Sequence, residues 1–176
     1  LSLRAYLDHY REEVADLVRH NCLRHMACGI TSVGDALVVP AAAEMYRLAD
    51  SDGKLPMVVH QMLGGGGFFA PPSEAAKGEG GDGEVSDRLR GGTVKMFMDP
   101  VFPSPALIRT DPHGHEERFG ERYYTQEEAD NLVLDAQKSG LQVAIHCLGT
   151  WSIEQALNAF ESAQREHPRA EPRFRI

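Results

Sequence analysis

LQVAIHCLGT, residues 141–150, is the stretch that decides the fold. Four of its first five residues are apolar, and His146 stands where the apolar run stops. A short apolar run of this kind predicts a buried strand of a parallel sheet, with its last side chain at the C-terminal edge. Open α/β sheets and (β/α) barrels carry their chemistry at that edge. His146 is therefore the first candidate functional residue.

A second stretch, GGTVKMFMDP at residues 91–100, has the same design. Lys95 interrupts an apolar strand predicted over residues 93–98. A buried lysine is costly unless it is paired, modified or bound to a metal. In a parallel sheet Lys95 and His146 would face a common crevice. The same reasoning brings in the polar residues expected at neighbouring strand ends, which are Asp35, His60 and Asp99.

Composition and charge narrow the class of protein. The chain has 176 residues, the size of one domain, and a net charge of −8 that argues against nucleic-acid and anionic-membrane partners. No apolar run approaches the ~20 residues of a transmembrane helix. Three cysteines without metal-ligand spacing indicate reduced thiols and a cytoplasmic setting. We expect a cytoplasmic protein that acts on a small-molecule substrate.

The predicted elements follow the order α-β-α-β-loop-β-loop-α-β-α and the start of another strand. Strands separated by helices require right-handed crossovers and hence a parallel sheet. The second helix should open at Pro40, and the first strand should end in Gly34-Asp35. Residues 64–92 are rich in glycine and predict a long loop insertion. Two helix starts match a capping box, Thr125 with Glu128 and Ser152 with Gln155.

A lysine, a histidine and carboxylates that converge on one crevice suggest a divalent metal site. An unmodified lysine is a poor ligand, whereas one carboxylated on its amine is anionic and can bridge two metals. The alternatives are a hydrogen-bonded core histidine and a lysine that extends to the surface. The residues alone leave both interpretations open. His113 and His115 have the spacing of a metal pair, but their polar surroundings favour a solvated loop.

The order of five segments resembles the amidohydrolase superfamily, and more narrowly the metal-dependent hydrolases of amidohydrolase family 3. The segments are GITSVGDA, LPMVVHQML, TVKMFMDP, GLQVAIHCLGTWSIEQAL and RFRI, which begin at residues 29, 55, 93, 140 and 173. The resemblance runs from about residue 15 to the end of the chain, and the lysine and histidine strands are its most specific parts.

The resemblance implies a distorted (β/α)8 barrel with one or two divalent metals, most often zinc, at its C-terminal face. Lys95 matches the family's carboxylated, bridging lysine, and His146 matches a histidine ligand. Asp99 matches an acidic residue that follows the lysine strand. The implied reaction is the attack of a metal-activated hydroxide on an amide or related C–N bond. The loop after Asp99 departs from the family pattern, so substrate contacts there are not carried over.

The other metal ligands and the proton shuttle of the family fall outside residues 1–176, and a complete barrel needs ~250 residues. We therefore expect one incomplete domain, a partial (β/α)8 barrel with parallel strands two to five and the start of six. The isolated chain should be inactive, and it should either self-associate through its exposed sheet edges or cover those edges with its loops. The alternative is a non-catalytic α/β binding or scaffold domain that is derived from a barrel.

Overall fold

The computed structural model describes residues 5–6, 9–64, 86–100 and 104–176. Within these ranges the chain alternates helices and strands, as the sequence predicts. The helices are α1 (Arg11–Ala27), α2 (Pro40–Ser51), α3 (Gln126–Lys138) and α4 (Thr150–Glu166). The strands are β1 (Ser32–Val38), β2 (Val58–Leu63), β3 (Leu89–Phe97), β4 (Leu107–Thr110), β5 (Glu116–Phe119) and β6 (Gln142–His146).

Four strands form one sheet in the order β1-β2-β3-β6, so the neighbours follow their order along the chain. β1 pairs with β2 in parallel. On the far side of β6, Arg175 forms a parallel bridge to Ala144, with hydrogen bonds of 2.9 and 3.0 Å from the amides of Ile145 and Arg175. The α/β class with parallel strands is therefore confirmed, and Arg175 lies where the start of a further strand was predicted.

The described residues group into two compact units. The first contains α1, β1, α2, β2 and the part of β3 up to Thr93, and the second contains the remainder of β3 and all later elements. The core of the first unit consists of Cys22, Leu55, Met57, Val59 and Leu89. The second unit buries apolar side chains of α3, β6 and α4, including Val133, Val143, Ile145, Ala156 and Phe160.

The two predicted capping boxes differ in outcome. The box of Thr125 and Glu128 at the start of α3 is present, with both reciprocal hydrogen bonds. The box of Ser152 and Gln155 is wrong, because α4 begins at Thr150 with Gly149 as its N-cap and no side-chain cap. Both side chains are instead buried, and each forms a hydrogen bond within the second unit to a residue far from it in the sequence.

Three strand boundaries also differ from expectation. β1 continues through Gly34-Asp35 to Val38, with a register shift at Leu37, whose φ of 95° is unusual for a residue with a side chain. β3 begins at Leu89, so the last residues of the predicted 64–92 loop are strand. Residues 65–85 of that loop lie outside the described residues. β4 and β5 form an antiparallel hairpin in a segment that was expected to be irregular.

None of the helices that the structure describes is long and apolar enough to cross a membrane.

Candidate functional site

β3 places Lys95 on the opposite face of the strand from its buried apolar residues. Val94 and Met96 are almost completely buried, whereas Lys95 and Phe97 alternate with them and are half-buried. This alternation follows from the two-residue period of a strand. It gives Lys95 and Phe97 a common face near the C-terminal end of β3.

Lys95 lies against an aromatic ring. Its Nζ atom is 4.7 Å from the centroid of the Phe97 ring, and no residue among the described ranges forms an ion pair with it. Burial lowers the pKa of Lys95, and this outweighs the opposing influence of Cys147. Relative to an exposed lysine, the environment therefore increases the share of the neutral amine, the form that can react with carbon dioxide or approach a cation.

His146 is the last residue of β6 and contacts the same aromatic ring. The ring centroids of Phe97 and His146 are 5.4 Å apart. Nε2 of His146 is buried and has no hydrogen-bond partner among the described residues. The structure thus brings Lys95 and His146, the two principal candidates from the sequence, to the same Phe97 side chain. The sequence patterns did not identify Phe97 itself.

Asp99 is completely buried just after β3. One carboxylate oxygen accepts hydrogen bonds from the amides of Ala106 (3.1 Å) and Gly149 (2.8 Å) and from the Ser152 hydroxyl (2.8 Å). The other accepts from the amide of Leu148 at 2.9 Å. This second oxygen also lies 4.0 Å from Nε2 of His146. Asp99 therefore joins the segment after β3 to the turn that follows His146.

Cys147 and Ser152 complete the surroundings of Asp99. Burial and the nearby Asp99 carboxylate raise the pKa of Cys147 to about 12, although Ser152 and Lys95 act in the opposite direction. The thiol is therefore neutral and poorly nucleophilic at physiological pH. This agrees with the sequence interpretation of Cys147 as a packing residue. Ser152 was predicted as a helix cap, and its spacing from Asp99 carries no local signal of their contact.

Asp35 and His60 lie inside their strands in the first unit, so the expectation that they stand at strand ends is wrong. Asp35 is the fourth residue of β1 and accepts a hydrogen bond of 2.7 Å from the Tyr46 hydroxyl on α2. His60 is the third residue of β2, and its Nε2 atom lies 2.7 Å from Oγ1 of Thr93. Asp35 thus faces the helical layer, and both side chains are engaged within their own unit.

The hairpin turn between β4 and β5 carries His113 and His115. Asp111 accepts hydrogen bonds from both of their amides and lies 3.0 Å from Nδ1 of His115. These backbone and side-chain contacts, the His115 amide foremost, lower the pKa of Asp111. Both histidines are exposed, as expected for a solvated loop. Over residues 5–6, 9–64, 86–100 and 104–176, no cluster of three histidine, cysteine or acidic side chains could hold a metal.

Two proteins of known name are similar to this chain. N-substituted formamide deformylase of Arthrobacter pascens is 32% identical over 169 residues, which are 92% of this chain and 30% of the relative. Protein LONG AFTER FAR-RED 3 of Arabidopsis thaliana is 33% identical over 93 residues, 52% of this chain and 16% of the relative. The chain thus spans less than a third of the length of either protein.

Two solved structures share the fold. They are uncharacterized metal-dependent hydrolases from Pyrococcus furiosus and Pyrococcus horikoshii OT3, with TM-scores of 0.67 and 0.66 and identities of 23% and 24%. The matches cover 93% and 90% of this chain but only 32% and 33% of the solved chains. Together with the parallel α/β sheet, this likeness supports the predicted partial barrel.

The widest match is to a family model. The model described as the amidohydrolase family matches residues 2–176, which include Lys95, Asp99 and His146. Because this match spans almost the entire chain, the protein belongs to the amidohydrolase family.

Proposed function

We propose that the protein is part of a metal-dependent hydrolase that cleaves C–N bonds of the amide type, and that Lys95 and His146 bind its divalent metal, zinc. The observation that carries the proposal is the position of both side chains on the Phe97 ring, with Nε2 of His146 buried and without a hydrogen-bond partner among the described residues. Membership of the amidohydrolase family and the similarity to a formamide deformylase support the reaction class.

Lys95 fits a role as a carboxylated ligand. The neutral amine attacks the carbon of carbon dioxide: a C–N bond forms, one C=O π bond opens onto its oxygen, and a proton passes from the nitrogen to solvent, so that the product is an anionic carbamate with two oxygen donors. Burial lowers the pKa of Lys95 and so increases the fraction of reactive neutral amine. Among the described residues, no carboxylate pairs with Lys95 that would repel the carbamate charge.

His146 fits the second ligand position because imidazole is a preferred ligand of zinc and related cations. Such a cation, when bound, polarises a carbonyl and lowers the pKa of water. The chain contributes one anionic and one neutral donor on a rigid pair of strands, which fixes their separation. Asp35 and His60 are not part of the proposed site because Tyr46 and Thr93 already engage them.

We also propose that further ligands and the general base come from outside residues 1–176, so that the chain alone has no hydrolase activity. The chain spans only 30% of the deformylase it resembles, and its described residues contain no cluster of three metal-binding side chains. Self-association through the edges of the sheet is a further proposal. Size-exclusion chromatography coupled to light scattering tests it, and a monomer at all concentrations would contradict it.

Zinc binding by Lys95 variants tests the function. Lys95→Ala and His146→Ala should each lose zinc in equilibrium dialysis, while Lys138→Ala, which removes an exposed lysine paired with Glu166, should bind zinc like the wild type. Intact mass at mild pH should show the added mass of one carbon dioxide in the wild type and in Lys138→Ala, but not in Lys95→Ala. Unchanged zinc binding in Lys95→Ala would refute the ligand assignment.

The second candidate function is a non-catalytic binding or scaffold domain. The lack of a three-ligand cluster in the described part of the chain favours it. In that case Lys95→Ala changes only the free energy of unfolding. Since the proposed site takes further ligands from outside residues 1–176, dialysis of the full-length protein separates the two functions, because a scaffold domain binds no zinc there either.

A further inference from the structure

Asp99 joins the segment just after β3 to the start of α4, about 50 positions later in the sequence. Its carboxylate accepts hydrogen bonds from the amides of Ala106, Leu148 and Gly149 and from the Ser152 hydroxyl, over distances of 2.8–3.1 Å. Gly149 is the N-cap of α4, so the carboxylate also lies at the positive end of that helix dipole. These contacts explain how the Asp99 carboxylate can be completely buried although no lysine or arginine among the described residues pairs with it.

Most of the accepting capacity of Asp99 is used within the protein. Three donors converge on Oδ2, and the Leu148 amide donates to Oδ1. A change at either oxygen would release an amide of the turn after His146. The geometry therefore assigns Asp99 first of all to this turn, although it lies only four residues after Lys95.

The position of Asp99 is suited to holding His146. The amide of Met98 donates a hydrogen bond of 2.9 Å to the carbonyl of His146, and Asp99 binds the amides two and three residues after it. The backbone is thus fixed at His146 itself and just beyond it. Nε2 of His146 lies 4.0 Å from the nearer Asp99 oxygen, which is too long for a hydrogen bond, so Asp99 acts on His146 through the backbone of the turn.

We infer that Asp99 is a positioning residue of this site: its hydrogen bonds to the amides of Leu148 and Gly149 fix the turn that directly follows His146 and thereby hold the imidazole in place. The inference rests on the proposed function, because it assigns His146 as a ligand. Loss of a residue that holds a ligand in place commonly lowers metal affinity by about 10–100-fold.

The first test compares two variants of the Asp99 cluster. Asp99→Asn replaces one acceptor oxygen with a donor, whereas Ser152→Ala removes one donor and leaves the carboxylate facing His146. Both should lower the free energy of unfolding. Zinc affinity, measured by competition with a chromophoric chelator, should fall about 10–100-fold in Asp99→Asn and stay near the wild-type value in Ser152→Ala. Equal zinc affinities in the two variants would overturn the inference.

The second test needs neither a variant nor a bound metal, so it decides the matter even if Asp99→Asn does not fold. Hydrogen–deuterium exchange of the metal-free wild-type chain reports whether the amides of Leu148 and Gly149, which donate to Asp99, are held in place. The inference expects both amides to exchange slowly, and exchange at the rate of an unstructured peptide would overturn it. A full-length protein that protects these amides but binds no zinc would refute the proposed function and leave the fixing of the turn by Asp99 intact.

Discussion

The Nζ atom of Lys95 lies 4.7 Å above the Phe97 ring, on a strand whose opposite face is packed into the protein. A ring face attracts a cation, but it cannot neutralise one as a carboxylate would. Burial consequently lowers the pKa of Lys95, and the charged form weakens the fold. The proposed ligand role would offset this cost, so it can be tested through stability as well as through metal binding.

Replacement of Lys95 by methionine should therefore separate stability from function. Methionine has a similar volume and no charge, so we expect Lys95→Met to raise the free energy of unfolding of the metal-free chain near neutral pH. Loss of a residue that only supports a metal ligand lowers affinity by roughly 10–100-fold, and loss of Lys95 as a ligand should lower zinc affinity by more than that. Urea titrations and chelator competition measure the two effects. The exposed Lys138→Met is the matched control, and it should change neither quantity appreciably.

The same lysine predicts a pH dependence with a definite sign. Its pKa is lowered in the folded state from the ordinary value of 10.5, so in the window below 10.5 the unfolded chain binds more protons than the folded chain. The contribution of Lys95 to the free energy of unfolding therefore rises as the pH rises through this window. The difference in unfolding free energy between wild type and Lys95→Met should shrink accordingly. A difference that is constant with pH would show that the lysine is not desolvated.

Gly149 should tolerate no side chain, because a Cβ atom there would lie 1.8 Å from the carbonyl oxygen of Ala106. The neighbouring Trp151 amide donates to that same oxygen at 3.0 Å, so the obstacle is fixed backbone. Gly149→Ala should cost at least about 1–3 kcal/mol of stability and should also weaken zinc binding, since the turn after His146 must move.

Gly140, at the other end of β6, provides the control for Gly149. A Cβ there meets no atom within 4 Å, although its φ of +78° makes any side chain unfavourable. Gly140→Ala should cost about 1–2 kcal/mol through the backbone alone and leave zinc affinity unchanged. Thermal or urea unfolding together with chelator competition distinguishes the two variants. Equal zinc affinity in both would show that the turn does not position His146.

The three cysteines should react at very different rates. Cys28 is exposed, Cys22 is buried, and Cys147 is partly buried with its pKa raised to about 12. Burial also raises the pKa of Cys22. We expect a disulfide reagent near neutral pH to titrate one thiol rapidly in the native chain and all three after unfolding. Cys28→Ser should abolish the rapid phase, whereas rapid labelling that persists in this variant would contradict the packing around Cys147.

Much of the fold could be predicted because it depends on local patterns. The apolar run that ends at His146, the single lysine in β3 and the capping box at Thr125 each reflect periodicity or a short-range contact. The parallel sheet then follows from the alternation of strands and helices. That topology is also what brings Lys95 and His146 to one ring, so this part of the site could be anticipated.

Asp99 was a candidate from the sequence, but its contact with Ser152 could not be predicted, because it joins residues 53 positions apart. The capping-box pattern assigned Ser152 to a helix cap, but in the structure the Ser152 hydroxyl contacts the buried Asp99 carboxylate instead. Asp35 illustrates the same limit. Gly-Asp is a strong turn signal, yet β1 continues through it because the Asp35 carboxylate finds a hydroxyl donor on α2.

The last prediction concerns the first unit and the hydrogen bond that Tyr46 donates to Asp35 there. It is 2.7 Å long and borders a cavity of about 230 Å³ beneath α1 and α2. Tyr46→Phe leaves the half-buried carboxylate without this donor, so we expect a loss of about 1–3 kcal/mol. Asp35→Asn retains an acceptor and should cost less. Tyr10→Phe, at an exposed tyrosine, should change stability by no more than about 0.5 kcal/mol.

A double-mutant cycle tests whether the two residues act through this bond. Asp35→Asn combined with Tyr46→Phe should cost less than the sum of the single changes, because the second change removes a partner that is already lost. Burial, followed by the Asp35 hydrogen bond, raises the pKa of Tyr46 above its ordinary value of 10.0. Above that pH the unfolded tyrosine ionises first, so the wild type should lose stability as the pH rises, and Tyr46→Phe should lose less. Strict additivity, with equal alkaline slopes in wild type and Tyr46→Phe, would mean that Asp35 continues β1 for some other reason.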